Sequence, residues 1–125
     1  MKNNNFLEAV RCAFRGAGYA LRTEKNFRRY FVIAMIFLVI NLALRVPLYV
    51  HITAIITISV TFAFEVVNTA IEHICDSFST ELRPDIRVIK DLAAGAVLMS
   101  SLSFFISEII FIVLQIIKLA SGGAG

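Results

Sequence analysis

Glu65, Asn68, Glu72 and Asp76 stand three, four and four residues apart. On a helix that turns about 100° per residue, all four fall on one face. Thr69 shares that face and His73 borders it. Carboxylates stacked in this way repel one another, so the stripe calls for a proton or a divalent cation. Magnesium takes one or two carboxylates and completes its shell with phosphate oxygens and water. An acid beside such a centre can act as a general base, and an Asn amide can orient a water or an alcohol. The pattern therefore suits a metal–phosphate site with a base at one end. The plainer reading is a helix that turns polar as it leaves a membrane. Such an exit is usually mixed and basic on the cytoplasmic side, whereas this one is acidic.

Glu65 directly follows Val46 to Phe64, nineteen residues without a formal charge. A carboxylate at such an edge is expensive in a membrane and marks function by default. Where water is thin it also accepts a proton more readily. Further charged groups belong to the same side of the chain's topology: Glu24 in RTEKNFRRY, Arg87, and the pair Lys90-Asp91. A site for a cation alone has no need of a lysine among its acids, whereas a triphosphate does. The chain has no Gly-x-x-x-x-Gly-Lys loop, no kinase glycine loop and no His-Arg-Asp set, so a nucleotide would bind without those cradles.

The elements that position these residues are helices in a membrane. The 125 residues are 58% hydrophobic, with a mean hydropathy of +0.81, too apolar for an ordinary soluble domain. The fold class expected is an all-α membrane protein of one domain, 1–125. It comprises a surface helix over 6–22, membrane helices over 29–45, 47–75 and 88–118, and a frayed tail over 119–125. In the surface helix, Phe6, Leu7, Val10, Phe14, Ala17 and Leu21 recur at threes and fours with Arg11, Arg15 and Arg22 off the stripe, which describes a helix lying on a membrane. The first apolar run, Tyr30 to Leu44, is short for a span. Arg28, Arg29 and Arg45 can snorkel to lengthen it, and Arg45-Val46-Pro47 ends it. Strands are excluded, since a sheet edge cannot sit in lipid.

Seven of the twelve basic residues lie within the first 29 positions. With Arg83, Arg87 and Lys90 in the second connection, they place the N-terminus and that connection in the cytoplasm. The glutamate stripe then faces the cytoplasmic mouth of its helix. The basic start fits an anionic lipid surface or a phosphate partner, and no nucleic-acid partner is expected. A secretory signal peptide is not expected, because 29 largely polar and basic residues precede the first apolar run. Cys12 and Cys75 have no metal spacing and read as reduced packing residues.

Glu65-Val-Val-Asn68-Thr-Ala-Ile-Glu72-His-Ile-Cys-Asp76, followed by Lys90-Asp91-Leu-Ala-Ala-Gly-Ala-Val-Leu98, resembles the small bacterial integral-membrane diacylglycerol kinase and undecaprenol kinase family. Thr23-Glu24-Lys-Asn26-Phe27-Arg28 matches the family's acidic step before the first span, and the resemblance runs over about residues 6 to 117. It implies a homotrimer of three-span subunits in the bacterial cytoplasmic membrane, with active sites between subunits. The implied reaction moves the γ-phosphoryl of MgATP onto the primary hydroxyl of a lipid. By position, Glu65 matches the catalytic base and Asn68 the polar residue beside it. Glu24 and Glu72 match the carboxylates that hold Mg2+ and nucleotide. Lys90 and Asp91 match the nucleotide-binding pair, and Asp76 a supporting acid. Glu81 and Arg83 fall where the family's connecting loop touches nucleotide, although Leu82-Arg83-Pro84-Asp85-Ile86 diverges from the family there. Glu65, Phe27 and Arg28 match the substrate side, and Asn26-Phe27-Arg28 looks more like the undecaprenol-type branch.

Other polar residues carry plainer expectations. Glu108, deep in the third span, is expected in a structural pair with Arg45 or His51. Asn41 is expected to hydrogen-bond between helices, and His73 to be a site neighbour or a satisfied polar residue. Arg11, Arg15 and Arg22 read as headgroup anchors. Ala93, Ala96, Ser100, Ser103 and Ser107 form a small-residue stripe suited to close helix packing. The competing function class is a small non-enzymatic membrane protein whose carboxylates serve divalent cations alone.

Overall fold

The computed structural model describes residues 6–78 and 83–122. These form four helices and no strand: α1 (Phe6–Thr23), α2 (Lys25–Ala43), α3 (Leu48–Phe78) and α4 (Pro84–Ala120). The last three are long and apolar enough to cross a membrane, as a multi-pass membrane protein requires. At about 1.5 Å per residue α2 is about 28 Å long, α3 about 46 Å and α4 about 55 Å. The hydrocarbon layer is about 30 Å thick, so α3 and α4 have length to spare, and the first two turns of α4 carry Asp85, Arg87, Lys90 and Asp91, while Glu108 lies deep in the span.

The helix ends differ from the sequence expectation by a few residues, because apolar runs mark what lipid covers while backbone hydrogen bonding continues beyond them. α2 starts at Lys25 rather than 29, its first turn closed by Arg28 N–H donating to Glu24 O at 3.3 Å. It stops at Ala43 rather than 45. There Val46 N–H reaches Asn41 O (3.1 Å) and Arg45 N–H reaches Leu42 O (3.2 Å), with Arg45 left-handed at φ 50°. That is a Schellman closure with arginine in the position that usually holds glycine. α3 continues to Phe78 rather than 75. α4 begins at Pro84 rather than 88, since proline at the first helical position gives up no hydrogen bond and already has the helical φ. The helix also extends to Ala120, into the stretch expected to fray.

α3 and α4 form the most extensive helix contact, α2 leans on α3, and α1 touches both α2 and α3. The packed line of α4 is Val97, Ser100, Ser101, Phe104 and Glu108. Ser100 and Ser101 donate their hydroxyls to Val97 O and Leu98 O, both at 2.9 Å. They therefore lie small and self-satisfied in the contact, which lets backbones approach. The expected small-residue stripe is corrected here. Ser103 is exposed, while Ala93, Ala96 and Ser107 are half-buried, because the packed face follows the 3.6-residue turn through Phe104 and Glu108. Aromatic contacts join the other helices. Phe27 of α2 stacks on Phe62 of α3 at 4.6 Å between centroids, and Phe37 meets Phe104 edge-on at 5.3 Å.

Glu108 is fully buried, and its Oε2 accepts a hydrogen bond from Asn41 Nδ2 at 2.7 Å. Its partner is thus Asn41 rather than the expected Arg45 or His51. Arg45 belongs to the turn that closes α2, and among the described residues the Glu108 carboxyl has its hydrogen bond from Asn41 and none from His51. Asn41 is the interhelical hydrogen bonder expected of it. Gln115 Nε2 donates to Leu44 O at 2.9 Å and fastens α4 to the end of α2. In α1, Ala20 is buried against the bundle, while Phe6 and Phe14 are 82% and 75% exposed, leaving an apolar face available to a membrane surface.

Arg45→Gly relieves the left-handed strain without disturbing the two closing bonds. It is expected to raise stability by about 0.5–1 kcal/mol, read as a higher Tm in a fixed detergent.

Candidate functional site

The site is built on one face of α3. Thr57, Thr61, Glu65 and Thr69 follow one another at intervals of four, and the hydroxyls turn back onto their own helix. Thr61 Oγ1 donates to Thr57 O at 3.1 Å and Thr69 Oγ1 to Glu65 O at 2.9 Å. The polar line therefore continues into the apolar half of α3 below Glu65, with Thr61 fully buried. Glu65, at the upper end of that apolar half, is only 3% exposed. Its carboxylate lies within reach of the negative charges of Glu24 and Glu72.

Glu24 arrives from the other side. It is the extended residue between α1 and α2 (φ −88°, ψ 118°), half-buried, and its Oε1 accepts from Thr23 Oγ1 at 3.2 Å. One turn above Glu65, Asn68 donates from Nδ2 to Glu72 Oε1 at 3.0 Å. The Asn68 Oδ1 is buried with no hydrogen-bond partner among the described residues. An unmet buried acceptor is costly, so this oxygen is positioned for a donor that the described residues do not supply. A turn further on, Lys90 of α4 donates to Asp76 Oδ1 at 2.5 Å, and its charge is also felt by Glu72.

The structure thus gathers Glu24, Glu65, Asn68 and Glu72, with Asp76 and Lys90 adjoining them. Asp91 follows Lys90 and is exposed. Other sequence candidates lie elsewhere or are engaged differently. Arg83 pairs with Asp85 at 2.7 Å, both well exposed, at the start of α4. Phe27 is buried against Phe62 and meets protein rather than open space. Arg28 Nη1 donates to Arg22 O at 2.6 Å, a cation on the last turn of α1 where the helix dipole favours it. Glu81 lies outside the described residues.

His73, expected as a site neighbour or a satisfied polar residue, has its polar partner in Tyr19. Its Nε2 lies 3.2 Å from the Tyr19 hydroxyl, and the rings are 5.7 Å apart. This contact joins the surface helix to α3 beside Glu72. Sequence reasoning missed Tyr19, and no local pattern could have found it, because 54 residues separate the partners. Thr61 was missed as well, although it continues the four-residue spacing below Glu65.

Among the described residues no three acid, imidazole or thiol groups form a complete metal-ligand set. Glu24 and Glu72 nevertheless fit magnesium, which needs only one or two carboxylates when phosphate oxygens and water fill its shell.

Residues 11–113 match the family model described as Prokaryotic diacylglycerol kinase. The chain is also similar to the undecaprenol kinase of Bacillus subtilis (strain 168), with 31% identity over 110 residues, covering 87% of this chain and 89% of the relative.

Tyr19→Phe removes the hydroxyl that meets His73 and keeps the ring. One exposed hydrogen bond is worth about 0.5–1 kcal/mol, so amide exchange across Arg15–Thr23 is expected to speed up by about two- to fivefold, with α4 unchanged. Hydrogen–deuterium exchange of the protein in micelles checks this.

Proposed function

The chain belongs to the prokaryotic diacylglycerol kinase family and is a lipid kinase, and from that premise we propose that it transfers the γ-phosphoryl of MgATP to the primary hydroxyl of a membrane lipid, with undecaprenol the preferred acceptor. The observation that carries the proposal is the buried Glu65, which sits where the apolar half of α3 ends and has the acids Glu24 and Glu72 for neighbours. A lipid hydroxyl reaches that depth while its tail stays in hydrocarbon, and a nucleotide reaches the acids from water. Family membership removes the non-enzymatic, cation-only alternative.

Phosphoryl transfer asks for positioning and charge neutralisation more than for covalent chemistry. Glu65 accepts the proton of the lipid hydroxyl as the hydroxyl oxygen attacks the γ-phosphorus and the bond to the β–γ bridging oxygen breaks, releasing ADP. The Asn68 Oδ1, which lacks a hydrogen-bond partner among the described residues, accepts from that hydroxyl or from a water beside it and fixes its direction. Asn68 Nδ2 holds Glu72 in place. Glu24 and Glu72 would hold magnesium, which would supply charge neutralisation to the phosphates. Lys90 balances further phosphate charge, with Asp76 holding its ammonium group, and Asp91 lies beside it on the nucleotide side. The family resemblance assigns Arg83 and Glu81 to the nucleotide side, where Arg83, at the start of α4, would exchange Asp85 for a phosphate. Arg28 and Phe27, matched to the acceptor side by the family resemblance, would act indirectly, Phe27 by packing on Phe62 of α3 and Arg28 by holding the end of α1. Burial of Glu65 keeps competing water from the γ-phosphate.

The undecaprenol preference rests on the similarity to a kinase named for that lipid and on Asn26-Phe27-Arg28. The excess of lysine and arginine near the N-terminus and in the second connection supports a site on the cytoplasmic face of the bacterial inner membrane. The family resemblance supports a homotrimer with sites between subunits.

In mixed micelles with labelled ATP, magnesium and either undecaprenol or diacylglycerol, the wild-type protein is expected to label undecaprenol faster. Glu65→Gln is expected to lower kcat at least 100-fold, the scale of a lost general base. Equal rates for the two proteins would remove Glu65 as the base, and faster labelling of diacylglycerol would reverse the acceptor. Lys90→Met is expected to raise the KM for ATP about tenfold or more while leaving the KM for lipid near wild type, measured by varying each substrate in turn.

A further inference from the structure

Of the three acids Glu24, Glu65 and Glu72, only Glu24 lies outside α3. It stands at the extended junction of α1 and α2, and the last turn of α1 holds both its backbone and its side chain. Glu24 N–H donates to Ala20 O at 2.8 Å. Its Oε1 lies 3.2 Å from Thr23 Oγ1, a hydroxyl that is also 2.9 Å from Tyr19 O. Glu24 therefore moves with that turn. Glu65 and Glu72 are fixed seven residues apart on one helix and cannot separate. The charges of Glu24 and Glu72 both bear on Glu65, and like charges at such range repel. Until a cation neutralises the group, the acid beside a hinge is the one that repulsion drives outward.

The attachment of the same turn to α3 opposes that movement. Ala20 is 1% exposed, packed against the bundle. Tyr19, the residue before it, meets His73 of α3 with its hydroxyl 3.2 Å from Nε2 and the two rings tilted at 56°. His73 directly follows Glu72. The contact thus ties the turn that carries Glu24 to the residue beside Glu72, and it does so with a hydrogen bond and a ring contact that leave the carboxylates free. We propose that Tyr19 and His73 are positioning residues, whose contact holds Glu24 beside Glu72 so that the two carboxylates take magnesium together. The inference rests on the reading of Glu24 and Glu72 as the magnesium acids of a lipid kinase. Its effect falls on the affinity for the metal–nucleotide complex. Once that complex is bound, its magnesium draws the acids together and the tether adds little to the rate.

The test uses the full chain in micelles and a preformed complex of Mn2+ with an ATP analogue that has a methylene in place of the β–γ bridging oxygen. Binding is read from the enhanced relaxation of solvent protons around the bound Mn2+. Tyr19→Phe is expected to weaken binding about two- to fivefold, the range that one exposed hydrogen bond allows. In a His73→Ala background the same substitution is expected to have no further effect, because its partner is already gone. His73→Gln offers both a donor and an acceptor to the tyrosine hydroxyl and is expected to bind like wild type. In the lipid-labelling assay, Tyr19→Phe is expected to raise the KM for MgATP by the same factor, with the rate at saturating MgATP near that of wild type. Glu24→Gln and Glu72→Gln are the references, each expected to weaken binding more than Tyr19→Phe does. If either leaves binding unchanged, the pair of magnesium acids is overturned and this inference falls with it. If both weaken binding while Tyr19→Phe binds like wild type, the positioning role alone is overturned. A Tyr19→Phe effect undiminished in the His73→Ala background, or a lower saturating rate with an unchanged KM for MgATP, would also overturn it.

Discussion

Hydrocarbon solvates neither a carboxylate nor an amide, and that constraint governs where every polar side chain of this protein's spans can go. Glu65, Asn68, Thr61, Asn41 and Glu108 are all buried in the bundle, while the exposed surface of the spans is dominated by large apolar side chains. The usual order of a soluble fold is inverted. The helix contacts of α3 and α4 hold serine, threonine, asparagine and glutamate, and the leucines and isoleucines face outward. The serines and threonines satisfy themselves on their own helices. The longer Asn and Glu side chains cannot, so they reach a neighbour or keep an oxygen unmet.

This produces two polar clusters of different character. In one, Asn41 and Glu108 join α2 to α4, reinforced by Gln115 on the last carbonyl of the α2 end. In the other, near the charged ends of α3 and α4, Glu65, Glu72 and Glu24 are assembled without a matching set of cations among the described residues. Lys90 engages Asp76, at the margin of this group. Like charges held at such close quarters leave a deficit of positive charge, which phosphate-bound magnesium is suited to fill. A bundle tied at one end and crowded with acids at the other suits a lipid kinase, whose acceptor comes from the membrane.

Much of this was legible before any coordinates. The charge-free run before Glu65, the three-four-four spacing of the acids and the proline after Arg45 follow from helix periodicity and from what proline cannot donate. Less legible were the ends of α2 and α4, because hydropathy reports lipid contact whereas helix ends are set by capping and backbone bonds. The left-handed Arg45 had no sequence signal, since glycine is the usual occupant of that position. Glu108 was visible as an oddity, but a search for an opposite charge pointed to Arg45 and His51, when a neutral amide fills the role.

The sequence by itself determined which segments are helical, which face of α3 carries the chemistry and where the chain must turn, because each of these is a property of neighbours within a few residues. Only the tertiary structure decided that Glu24 joins Glu65 and Glu72, that Tyr19 touches His73, and that Asn41 donates to Glu108. Those partners lie 41, 54 and 67 residues or so apart in the chain. Their meeting depends on how far each helix runs before it turns and on the rotation at which it packs, and no local spacing encodes either quantity.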